Sequence, residues 1–150
     1  MAEETIWPLE AKLRHVPVAN MKLGLGVARV KELMDLGVNV SLGTDGPASN
    51  NSLDMFETMK VAAILQKLTY RNPTVMPAYE VLKMATINGA KALGLDGKIG
   101  SFEVGKRADI ILIDLSKSHL KPLHNIYASL VYSASGSDVD TVIVDGKILM

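Results

Sequence analysis

A chain of 150 residues with 16 basic and 16 acidic side chains has a formal net charge of zero, which removes the electrostatic case for a nucleic-acid or membrane-surface partner. It has no cysteine, so disulfides, thiolate metal sites and a thiol nucleophile are excluded. Apolar residues make up 48%, enough for a sizeable core, and the length suits one domain or pieces of two.

The first ten residues, "MAEETIWPLE", lack the basic start and apolar run of a signal peptide. Apolar runs such as "IILI" and "VAAIL" fall far short of the ~20 residues that span a bilayer. The expectation is a soluble, cytoplasmic protein. From Ala11 to Val16 apolar and charged residues alternate, which predicts a short strand. "PVANMKLGLG" then reads as a loop punctuated by Pro17, Asn20, Gly24 and Gly26.

Val27, Val30, Leu33 and Met34 recur at helical spacing, with Gly37 where a C-terminal cap belongs. A strand follows over Val38 to Leu42. A second helix is predicted from about Leu53 to Leu68, closed by Asn72-Pro73. Pro77 opens a third helix, and "NGAKALG" forms a fourth that ends near Gly94. Beyond Gly94 the text is glycine-punctuated and β-branched, and Asp145-Gly146 between apolar runs predicts a hairpin. The chain therefore divides near residue 95, with a βα part over 1–94 and an all-β part over 95–150.

Three groups of residues could carry chemistry. "GLGVARVK" precedes a helix but lacks the third glycine of a dinucleotide fingerprint and the Gly-Lys-Ser/Thr ending of a phosphate loop, so a flexible turn is the better reading. His119 and His124 stand five apart with Pro122 between them, outside the spacings of paired metal ligands, and read as surface or loop residues. His15 shares a strand face with Ala11 and Leu13, as a structural histidine does.

The third group is "GTDGPASNN". Asp45 and Gly46 could simply make a turn, with Ser49, Asn50 and Asn51 capping the next helix. Alternatively, an aspartate at the C-terminal end of a strand that leads into a helix occupies the end where parallel α/β sheets and barrels place their chemistry. A carboxylate there can ligate a metal and take a proton from metal-bound water.

The stretch "HVPVANMKLGLGVARVKELMDLGVNVSLGTDGPASNNSLDMFETMK" resembles the amidohydrolase superfamily, in its metal-dependent deaminase and chlorohydrolase branch. The shared pattern is H-x-P-x-S-N-x-x-L, a helix, then G-T-D-G-x-x-S-N-N-x-x-D. "AKALGLDGKIGSFEVGKRADIILID" resembles the same family where it enters a small β-sandwich. The resemblance covers residues from about 13 to 150 and is nearest to deaminases of S-adenosylhomocysteine, methylthioadenosine and 5′-deoxyadenosine.

The resemblance implies an α/β fold: the last two βα units of a TIM-type (β/α)8 barrel plus part of a small β-sandwich. It implies one divalent metal, zinc or iron, in the complete enzyme, and a small-molecule substrate whose amino-bearing ring is attacked by water. Asp45 matches the metal-binding, proton-transferring aspartate at the end of the family's eighth strand. His15, Ser49 and Asn50 match residues of the pocket or of its supporting loop. The sequence departs from the pattern at Ala19, where the family has serine, and in the charged text before His15.

A barrel of this type needs about 250 residues and eight strands. The family's histidine ligands on earlier strands have no counterpart here, and a catalytic zinc needs about three protein ligands. The expectation is therefore a C-terminal portion of an amidohydrolase that binds no metal tightly and does not turn over alone. Two alternatives accompany it. One is a non-catalytic remnant or oligomer-forming module, or one that complements a separate barrel piece. The other is a chlorohydrolase or guanine-deaminase-like substrate within the same superfamily.

Overall fold

The computed structural model describes residues 11–150, so readings of the first ten residues lie outside the described part. Strand β1 (Lys12–His15) and strand β2 (Asn39–Leu42) pair in parallel, with Lys12 opposite Asn39 and His15 opposite Leu42. Parallel pairing requires a crossover segment. Here the crossover carries helix α1 (Pro17–Lys22) and helix α2 (Val30–Asp35). The first of these was expected to be loop. Pro17 at the first helical position needs no hydrogen-bond partner for its nitrogen, and Leu23 N–H closes the turn on Ala19 O at 3.0 Å.

Helix α2 ends as its glycine predicts. Gly37 adopts φ 82°, Val38 N–H donates to Leu33 O, and Gly37 N–H donates to Met34 O, both at 3.0 Å. This closure turns the chain directly into β2. After a short helix α3 (Pro47–Asn50), helix α4 (Met55–Tyr70) packs on α1 and α5 (Ala78–Ala85). Asp54 caps α4: its Oδ1 accepts from Phe56 N–H at 2.7 Å and Glu57 N–H at 3.4 Å. The cap is Asp54 rather than the Ser49–Asn51 group considered from the sequence.

Helix α5 (Ala78–Ala85) follows Pro77, and helix α6 (Ile87–Leu93) ends at Gly94 in the left-handed region, as expected. Helix α6 is fastened to β2 by two amides. Asn39 Nδ2 donates to Asn88 O and Asn88 Nδ2 donates to Val40 O, each at 3.0 Å. The core lies between β1–β2 and the helices, built from Val30, Val40, Leu42, Met59, Ala62, Ala63, Val81 and Met84. Each large apolar side chain buried there contributes roughly 1.5–3 kcal/mol relative to exposure.

Beyond Gly94 the all-β expectation holds only in part. Strand β3 (Ile110–Ile113) pairs antiparallel with β4 (Val139–Val144), and β4 with β5 (Lys147–Ile148) through the expected Asp145-Gly146 turn, both residues at positive φ. Residues 114–138 instead return to the helical layer. Helix α7 (Ile126–Tyr132), capped by Asn125 Oδ1 accepting from Ala128 N–H at 3.0 Å, packs on α4 and α5. Tyr127 meets Tyr79 edge-on at 5.0 Å between ring centres, and Val131 is fully buried. Neither sheet closes on itself: among the described residues β1 and β2 each have one strand neighbour.

Candidate active site at the ends of the parallel strands

Strands β1 and β2 end side by side, and Gly43 N–H continues their ladder by donating to His15 O at 3.0 Å. Alternation along the paired strands separates two faces. Leu13, His15, Val40 and Leu42 share one, which carries the core; Arg14, Ser41 and Gly43 share the other. Arg14 and Asp45 are both exposed.

Asp45 leaves β2 two residues beyond Gly43 with φ 64°, a left-handed conformation that aspartate tolerates better than most residues. The Ser49 hydroxyl and the Gly46 N–H beside it, and more weakly the charge of Arg14, hold its carboxyl below the usual carboxylate range. Asp45 is therefore ionised at neutral pH. The Ser49 hydroxyl also lies 3.0 Å from Gly46 O, and its single proton can turn to either oxygen.

Asn50 is buried and serves the loop. Its Nδ2 donates to Thr44 O at 2.6 Å, which pins the residue before Asp45, while its Oδ1 has no hydrogen-bond partner among the described residues. Lys22 at the end of α1 donates to Ala48 O at 3.2 Å and to Asn51 Oδ1, tying the loop after β1 to the loop after β2. His15 is only 2% exposed. Burial pushes its imidazole down to about 4, so it is neutral, and neither ring nitrogen has a hydrogen-bond partner among the described residues.

Of the residues singled out from the sequence, Asp45, Ser49 and Asn50 share one loop, and His15 sits under it on the core face. Two neighbours escaped that reading. Arg14 stood out only as one of the charges alternating with apolar residues in the first strand, with nothing to mark it as part of a site. Asp54 carried a legible signal, an aspartate three residues before Glu57 at the start of an apolar periodic run.

Residues 4–149 match the amidohydrolase family. This chain belongs to that family. It is 57% identical over 136 residues to the 5-methylthioadenosine/S-adenosylhomocysteine deaminase of Moorella thermoacetica, covering 91% of this chain and 32% of that protein. It is 58% identical over 136 residues to the 5′-deoxyadenosine deaminase of Methanosarcina mazei, covering 91% and 31%. The zinc-bound crystal structure of an adenosine deaminase from Xanthomonas campestris superposes with a TM-score of 0.89 at 42% identity, covering 91% of this chain and 31% of that one. The chain thus spans about a third of the length of the curated relatives it matches, and the two βα units described here are part of an amidohydrolase TIM-type barrel.

The metal that this amidohydrolase ancestry implies can be tested against the residues in place. Among the described residues no group of three His, Cys, Asp or Glu side chains is arranged to hold an ion. Asp45 offers one carboxylate and His15 is turned to the core face, so these residues do not by themselves make a metal centre. No helix among the described residues is long and apolar enough to cross a membrane.

Proposed function

We propose that this chain supplies the last two βα units of an amidohydrolase that removes an amino group, by water, from an adenine-type ring of a small nucleoside-like substrate. Asp45 is the group it brings to the reaction. Its role is to accept a proton from the attacking water at a carboxylate oxygen and to pass it toward the departing amine. The divalent metal belongs to a complete site whose remaining ligands lie outside these residues. What carries the reading is the position of Asp45: ionised, exposed, and presented at the C-terminal end of a parallel strand pair, where barrel enzymes assemble their sites.

Ser49 and Asn50 act as support for that loop, through Gly46 and Thr44, and His15 as neutral packing beneath it. The same reading assigns residues 1–94 to the barrel and 95–150 to a partial sandwich, with α7 returning to the helical layer. Met21, Leu23 and Leu25, which follow β1 with 53%, 55% and 69% of their surface exposed, fit a chain that associates with a complementing barrel piece.

The test is complementation. This chain is co-expressed with the Moorella relative shortened by its matching third, and ammonia release from 5-methylthioadenosine is followed. The expected result is release from the mixture, none from this chain alone, and a loss of at least about 100-fold with Asp45→Asn. Full activity of the Asp45→Asn mixture, or turnover by the isolated chain, overturns the reading.

A further inference from the structure

Helix α3 begins just after Asp45-Gly46 and has only 4 residues, too few to hold its shape by its own hydrogen bonds. Ser49 N–H and Asn50 N–H close it on Gly46 O at 3.1 and 3.0 Å, and Asn51 N–H closes it on Pro47 O at 2.9 Å. Asn51 then ends it in the left-handed region at φ 71°. Ala48 O receives no backbone N–H among the described residues, the usual fate of a carbonyl in the last turn of a helix.

Lys22 takes that carbonyl. Its ammonium donates to Ala48 O at 3.2 Å and to Asn51 Oδ1, so it caps the C-terminal end of α3, where a cation is favoured. Among the described residues, the other side-chain hydrogen bonds within 44–51 come from Thr44, Ser49 and Asn50, all inside that stretch. Lys22 alone reaches it from another element, the end of α1, across 26 and 29 positions of sequence.

The lysine is exposed, so its bonds add little to the stability of the whole chain. Their effect is local. Asn50 holds Thr44 O, and Ser49 bonds the Asp45 carboxylate, yet both side chains stand on α3 and are only as fixed as that helix. Order therefore passes from Lys22 to α3, and from α3 to the residues on either side of the carboxylate.

We propose that Lys22 is a positioning residue: it orders α3 and, through Ser49 and Asn50, sets where the Asp45 carboxylate stands. This role rests on the reading of Asp45 as the proton-transferring group of a deaminase. It adds a coupling that the reading lacks, because the segment after β1 then governs the carboxylate presented after β2.

The test has two arms. In the full chain, ¹⁵N NMR follows amide exchange at Ser49, Asn50 and Asn51 in the wild type, Lys22→Met, Lys22→Arg and Lys31→Met. Lys31 is a control from α2, where it pairs with Asp35. Lys22→Met is expected to speed exchange at these three amides about fivefold while leaving the urea midpoint unchanged. Lys22→Arg recovers part of the protection, since its planar head donates in a different geometry, and Lys31→Met changes nothing. In the second arm the same chains are co-expressed with the shortened Moorella relative. Lys22→Met is expected to lower kcat for ammonia release from 5-methylthioadenosine about tenfold with KM unchanged, as misplacement of a reacting group does.

Unchanged exchange in Lys22→Met overturns the ordering of α3 by this lysine. Faster exchange with unchanged kcat, or a loss confined to KM, overturns its service to Asp45. A wild-type mixture that releases no ammonia overturns the deaminase reading and the catalytic half of this role with it, and the exchange arm still decides whether Lys22 orders α3.

Discussion

Asp54 and Gly136 are 82 positions apart and joined by one hydrogen bond: Gly136 N–H donates to Asp54 Oδ2 at 2.8 Å. The other oxygen of the same carboxylate caps α4. One side chain therefore starts the longest helix and also fastens the segment between α7 and β4 to it. Asp54→Ala is expected to cost about 1–2 kcal/mol from the cap and more from the lost tie, read as a lower midpoint in urea unfolding. Asp54→Ser retains the cap alone and is expected to recover only part of the loss.

His15 gives the chain a measurable pH dependence. Its folded value is pushed down to about 4 by burial, against an ordinary value of about 6.5. Between these values the unfolded chain binds the proton and the folded chain does not, so stability rises with pH. The contribution is complete above about pH 6.5 and is lost as pH falls toward 4, amounting to roughly 2–4 kcal/mol. Urea titrations from pH 4 to 7 are expected to show this slope, and His15→Gln to flatten it.

Asp138 acts at lower pH. Its carboxylate is fully buried, and it meets His119 Nε2 at 2.9 Å, Ser135 N–H at 2.8 Å and Lys117 Nζ at 3.1 Å. The His119 hydrogen bond above all, then the Ser135 N–H and the Lys117 ammonium paired with it, hold its carboxyl well below the usual range against the opposing effect of burial. A lowered carboxyl value stabilises the fold above the unfolded value of about 3.9, and that stability is lost as pH falls below it. Asp138→Asn is expected to lower the melting temperature at pH 7 and to flatten the dependence below about pH 4. Calorimetry across pH 2.5–7 separates this window from that of His15.

Gly100 marks where the segment leading to β3 lies against α6. Its φ is 93°, and a Cβ there would stand 2.7 Å from Ala90 Cβ and 3.0 Å from Ile87 Cα. Neither neighbour can move without shifting the helix. Gly100→Ala is expected to destabilise by roughly 2–4 kcal/mol in chemical unfolding, combining backbone strain with overpacking.

The parallel strands, helices α2, α4, α5 and α6 and the closing hairpin were legible because each has a local cause. Gly37 and Gly94 end helices through their own φ angles, and Asp145-Gly146 makes a tight turn from its own backbone. Helix α7 was not legible, because "IYASLVY" is too short for a period to decide between helix and strand; its packing on α4 and α5 makes the choice. Asp45 was legible as a residue at a strand end. Alternation along β1 also placed His15 with Leu13 and Arg14 opposite, as found; that the Arg14 stem lies over Gly43 depends on register with β2, which no single strand records.

The exchange of amides between Asn39 and Asn88 has a further effect. Each asparagine donates to a backbone carbonyl on or beside the other's element, so a slip of β2 by a single residue breaks both bonds together. Helix α6 thereby works as a vernier on the strand, reading its position to one residue. The height at which Asp45 emerges from the sheet is set from behind, by a helix that begins more than forty positions later in the chain.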